Sequence, residues 1–147
     1  MEFYKLVFKA LTLALTLQLP LVSCGPHEPM LELSLERQAM EKPFTLADYC
    51  EEEYDSVCII YPYDDPEAIK KLPYKMSRCL RNYCSCTSAD TYSTILFISD
   101  GAVEAFAEIA YDKAIFSPPH LPEKLHIFHF KQLFILNKER RVLLYKE

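Results

Sequence analysis

The sequence predicts an α+β fold, with a disulfide-linked helical N-terminal half followed by a C-terminal antiparallel β-meander. Three observations lead there. Five cysteines crowd the middle of the chain, on two segments whose apolar residues recur at helical spacing. Asp100-Gly101 divides two stretches rich in β-branched, aromatic and alternating apolar residues. Beyond Ser117, two more apolar stretches are separated by a short polar turn.

The chain opens with Lys5 and Lys9 ahead of an apolar run from Ala10 to Leu19, then Pro20, Ser23 and Gly25. That order of charge, apolar run and small residues predicts a secretory signal peptide over residues 1–24. The run is about half the roughly 20 apolar residues that span a bilayer, and no other segment approaches that length, so no membrane span is expected. With Val22 and Cys24 before the cut, cleavage ahead of Gly25 would release a soluble protein. Leu21-Val22-Ser23-Cys24 also fits a bacterial lipobox, in which Cys24 would be acylated and anchor the chain to an envelope membrane. The soluble route is preferred, because five further cysteines are many for such a lipoprotein. Residues 25–44 then read as a loosely ordered leader, and residues 45–147 as a single disulfide-stabilised domain.

Within that domain, Thr45-Leu46-Ala47-Asp48 has the form of a capping box and predicts a helix from Leu46 to about Val57. Leu46, Tyr49, Cys50 and Tyr54 would share its buried face, and Glu51, Glu52 and Glu53 its solvated side. A calcium site from Glu51, Glu52, Glu53 and Asp55 is disfavoured, because successive helical carboxylates diverge and no EF-hand pattern is present. Cys58 to Tyr61 reads as a short extended piece. Asp65 and Pro66 form an N-cap and N1 pair for a helix ending near Leu72. Met76, Cys79, Leu80 and Tyr83 predict a second cysteine-bearing helix, basic enough to dock on the first, acidic one.

After Cys86 the pattern turns to strands. Tyr92 to Ile98, the Asp100-Gly101 turn and the alternation from Val103 to Tyr111 predict a hairpin. A helix over Ala102 to Ala114 is its rival, favoured by alanines and glutamates. Leu125 to Leu136 and Val142 to Tyr145, around a turn at Asn137 to Arg140, complete the expected meander.

Cys50, Cys58, Cys79, Cys84 and Cys86 are the disulfide candidates, and none lies in the last 61 residues. Cys84 and Cys86 should not pair together, since the ring would strain the bond. Five is odd, so if Cys24 leaves with the signal one thiol stays free or links two chains in a disulfide-bonded homodimer, whereas cleavage just before Cys24 would leave six cysteines for three internal bridges. Zinc is disfavoured by export and by the C-x-C spacing.

Charge is divided along the chain. From Glu28 to Glu67 there are 12 acids against 2 bases, and from Ala68 to Glu147 there are 8 acids against 12 bases. The acidic half would repel phosphates, so no nucleic-acid partner is expected. It either folds against the basic half or offers an acidic face to a basic partner.

Catalytic patterns are scarce. The only glycines, Gly25 and Gly101, can make neither a nucleophile elbow nor a phosphate loop. His126 and His129 would point to opposite faces of a strand and share no metal. No catalytic residue, metal or cofactor is therefore assigned. The expectation is a secreted, extracellular, non-enzymatic protein that binds another macromolecule, an extracellular protein or receptor, as ligand, inhibitor or toxin-like effector. The lipid-anchored envelope protein and a small secreted hydrolase are the alternatives. Tyr61, Tyr63, Asp64 and Asp65, on a turn between elements, are the candidate binding surface.

Overall fold

Nine strands and two short helices make up the computed structural model, which describes residues 25–62, 64–86, 91–116 and 126–145. In chain order these are β1 (Met30–Leu31), β2 (Pro43–Phe44), β3 (Ser56–Ile60), α1 (Pro66–Lys70), α2 (Arg78–Cys86), β4 (Tyr92–Ser99), β5 (Ala102–Ala110), β6 (Ile115–Phe116), β7 (His126–His129), β8 (Phe134–Leu136) and β9 (Arg141–Leu144). One sheet has the order β1-β5-β4-β3-β7, and the other β2-β8-β9-β6. Both are mixed, since β1 runs parallel to β5 and β6 parallel to β9. The expected signal peptide lies outside the described residues.

The five-stranded sheet is buried on both sides. Along β3, Val57 and Ile59 enter the cluster shared with the second sheet, while Cys58 and Ile60 enter the cluster under the helices. Alternation of side chains across a strand places these two clusters on opposite faces. This explains why β3 and the middle of β4 read as nearly continuous apolar runs, as a strand covered on both faces requires. The layers are therefore sheet, sheet and helix pair.

The helical N-terminal half is not what forms. Between Thr45 and Ile60 only Leu46–Tyr49 is helical, as a single 3-10 turn. Asp48 does cap it, its carboxylate accepting from the Thr45 backbone N–H at 2.7 Å. At Cys50 the chain turns extended and runs on to β3, which lies between β4 and β7. The β-branched tract Ser56–Ile60 pairs on both edges, and that pairing overrides the helical preference of the residues before it. With no acidic helix, the expected docking of two cysteine-bearing helices is replaced by α1 against α2.

Nor is any disulfide pair found between described residues of this half. Among the described residues Cys50, Cys58, Cys84 and Cys86 are free thiols.

The C-terminal meander is also corrected. β7 joins β3 in the first sheet, whereas β8 and β9 form a hairpin in the second. Phe130 is the corner: it is buried between the sheets and its N–H donates to Asp55 O. The chain needs this crossing because each sheet must bury its apolar face against the other.

Other elements form as expected. Asp65 caps α1 by accepting from Glu67 N–H at 3.0 Å, with Pro66 opening the helix. β4 and β5 are a hairpin across Asp100 and Gly101, whose φ values of 50° and 73° are those of the left-handed turn that Asp-Gly supplies. The rival helix over Ala102 to Ala114 is absent. Residues 25–44, expected to be loose, supply β1 and β2 and bury Leu33, Leu35 and Phe44 in the inter-sheet cluster.

Candidate functional site

Where the chain leaves the 3-10 turn and approaches β3, it borders a cavity of about 630 Å³. Three segments make the walls. Tyr49, Cys50, Glu51, Glu52 and Tyr54 come from the extended approach, Pro29, Leu31 and Glu32 from β1 and its flanks, and Glu104 from β5. Parallel pairing of Met30 with Phe106 and Leu31 with Ala107 brings the second segment beside the third.

The rings are fixed from behind. Tyr54 lies 5.0 Å from Phe97 and 5.2 Å from Phe130, ring centre to ring centre, the latter contact edge-to-face. Tyr49 meets Phe44 edge-on at 6.0 Å, and its hydroxyl donates to Gln38 Oε1. Burial raises the phenol pKa of Tyr54, and the nearby Glu52, Cys50 and Glu104 add to that rise. Both phenols therefore stay neutral; Tyr49 is half-buried, and Tyr54, 9% exposed, belongs to the inter-sheet cluster and borders the cavity from there.

The charge is one-sided. Glu32, Glu51, Glu52 and Glu104 border the cavity, and no lysine, arginine or histidine does so among the described residues. None of the four is ion-paired among the described residues. Glu53, next in sequence, leaves the cavity and pairs with Lys131 at 3.0 Å. No group of three or more His, Cys, Asp or Glu among the described residues is arranged to hold a metal ion. The cavity thus combines carboxylates that lack ion partners among the described residues with tyrosine side chains, a composition chemically suited to organic cations.

Cys50 brings little nucleophilic chemistry. Burial pushes its thiol up to about 11, so it is protonated at neutral pH. Cys58 and Cys84 lie in the cluster beneath the helices at 0% and 4% exposure. Burial first, then Asp64 and each other's neighbourhood, pushes Cys58 up to about 12, and burial with Glu108 does the same to Cys84. Cys86, at the end of α2, is exposed. Alkylation of the native protein should therefore modify Cys86 first, Cys50 slowly, and Cys58 and Cys84 only after denaturant is added. Peptide mass spectrometry over a time course checks this order, and early labelling of Cys58 would contradict the packing described.

The surface expected at Tyr61 to Asp65 is arranged differently. Tyr61 is 7% exposed and belongs to the inter-sheet cluster, so its ring is core. Its N–H donates to Asp64 Oδ2 at 2.7 Å, while Asp65 is occupied as the cap of α1. Tyr63 lies outside the described residues. His129 is exposed and its Nδ1 accepts from the Lys131 N–H.

The cavity residues were visible singly in the sequence but not as a set. Tyr49, Cys50 and Tyr54 share the face expected of a helix, and the Glu run reads as its solvated side. Their conjunction with Glu32 and Glu104 depends on the parallel pairing of β1 with β5, which no local pattern announces. The chain matches no protein-family model, no curated protein and no solved structure closely enough to show kinship.

Proposed function

We propose that the protein is an exported binding protein whose cavity receives a basic side chain, lysine or arginine, of a partner macromolecule. The observation that carries this reading is the cavity itself: four carboxylates without ion partners among the described residues, bordered by Tyr49 and Tyr54. A lysine ammonium or arginine guanidinium would gain charge attraction from the rim and ring-face contact inside. The acidic N-terminal half supports it further, since its field would speed the encounter with a basic surface. The extracellular setting rests on the signal-like N-terminus. The neutral, half-buried thiol of Cys50 favours a binding role for the cavity over nucleophilic chemistry.

Calorimetric titration with a short lysine- and arginine-rich peptide, against a glutamate-rich control, tests the reading. Binding of the basic peptide alone is expected, weakening as ionic strength rises from about 0.01 M to 0.1 M, where the screening length shortens from about 30 to 10 Å. Glu51→Gln and Glu104→Gln should each weaken it about two- to fivefold, the range for exposed charge pairs. Equal binding of both peptides, or no effect of either substitution, would overturn the proposal.

A further inference from the structure

One cavity wall is held in place from a distance. Pro29, Leu31 and Glu32 belong to a strap that runs parallel along the outer edge of β5, where Phe106 N–H donates to Pro29 O at 3.1 Å. Met30 on this strap is exposed, so its side chain adds little anchorage. Downstream, buried Leu33 and Leu35 pin the chain into the inter-sheet cluster. Upstream, Glu28 is the anchor. Its Oε1 accepts from Ser77 N–H at 2.5 Å and its Oε2 from Ser77 Oγ at 2.7 Å.

Ser77 is well placed to hold it. It immediately precedes α2, and its Oγ also accepts from Leu80 N–H at 3.0 Å, as an N-cap does. A carboxylate at the start of this nine-residue helix is favoured by the aligned backbone dipoles. Burial alone would raise the Glu28 pKa, but the hydrogen bonds from Ser77, with those from the backbone at Glu28 and His27, together outweigh it and hold the carboxyl below its ordinary 4.5. The charged form is the one that latches.

We infer that Glu28 and Ser77 are positioning residues for the cavity: together they latch the strap and so set the wall formed by Pro29, Leu31 and Glu32. The inference rests on the reading of the cavity as a cation-binding site. Neither residue lines the cavity, so their effect on affinity passes through the strap. A two-residue strand with one exposed side chain is a weak tether by itself, and two hydrogen bonds to a charged acceptor add a large part of its hold.

The sign of the pH dependence follows. A carboxyl whose folded pKa is lowered stabilises the latch above the unfolded value, and that stabilisation is lost as pH falls through the folded one. Strap protection should therefore be flat from neutrality down to about 5 and fall below 4.5. Glu28 has titratable neighbours on each adjoining element. His27 and Glu32 flank it on its own segment, Lys75 and Arg78 flank Ser77, Cys84 on α2 feels its charge, and Glu104 and Glu108 lie on β5. Glu28 forms no ion pair with any described residue.

Hydrogen exchange at the Phe106 amide, which bonds the strap, gives a readout independent of ligand. In the ligand-free full chain Glu28→Gln and Ser77→Ala should speed that exchange about tenfold or more, while exchange at Leu96 in the sheet centre stays unchanged. Ser77→Thr, which keeps the hydroxyl, should restore slow exchange, and the pH break below 4.5 should vanish in Glu28→Gln. The same two variants should weaken binding of the basic peptide. Unchanged Phe106 exchange in both overturns the latch, whether or not the peptide binds. Faster exchange with unchanged peptide affinity overturns the positioning role. If the wild type does not bind the peptide but Phe106 exchange responds, the latch stands and the reading of the cavity fails.

Discussion

Phe97→Ala is expected to destabilise the protein by about 3–5 kcal/mol, the range for removing a fully buried phenylalanine. Phe97 is 0% exposed, at the centre of the five-stranded sheet and facing the second sheet. Its ring stands 5.0 Å from that of Tyr54 and 6.3 Å from that of Phe130. Truncation leaves a void between two sheets whose backbones are held by their own ladders, so the site cannot collapse to fill it. Domains of this size hold roughly 5–15 kcal/mol in total, so the variant should unfold at much lower urea. Tyr54 would also lose the ring behind it, and peptide affinity should fall alongside stability. A loss under about 1 kcal/mol in urea titration would show that the ring is not packed as described.

The second large effect is expected at Arg81. Its guanidinium donates to the carbonyls of Lys70 at 2.7 Å, Leu72 at 3.1 Å and Tyr74 at 2.7 Å. Those carbonyls close the end of α1 and line the turn into α2, and a fork of donors satisfies them at once. Arg81→Ala should cost about 2–4 kcal/mol, less than the sum of three charge-assisted bonds because water replaces part of them. Arg81→Lys should recover only a fraction, since a single ammonium cannot reach all three oxygens in the same geometry. Thermal unfolding measures the cost. Limited proteolysis should find new cleavage between Leu72 and Ser77 in the alanine variant, and an intact turn there would count against the role given to Arg81.

What could be read from the sequence was what local chemistry decides. Asp65-Pro66 started a helix because its cap and fixed φ act within a few residues. Asp100-Gly101 made the hairpin turn because both residues tolerate positive φ. Met76, Leu80 and Tyr83 pointed to α2. Thr45 to Asp48 did form its cap, but a cap cannot say how long a helix continues. Partners on both edges of β3 decided that, and they come from β4 and β7, far along the chain. The meander failed for the same reason. Leu125 to Leu136 read as one apolar stretch, whereas Phe130 divides it between two sheets. The cavity is the extreme case, since its three walls meet only through tertiary pairing.

The second sheet joins distant parts of the chain, and this shapes the order in which the protein can fold. Pro43 pairs with Ile135 and Phe44 with Phe134, while in the first sheet Met30 pairs with Phe106. Loops of that length close slowly, because their entropy must be lost before any contact compensates. The β4-β5 hairpin is local and can form early, with β3 docking on it next. β2 has no hydrogen-bonding neighbour until β8 has been made and brought round. During synthesis, then, the inter-sheet face of β3, β4 and β5 stands uncovered until β8 and β9 are made, and that apolar face is the stretch of the nascent chain most open to association.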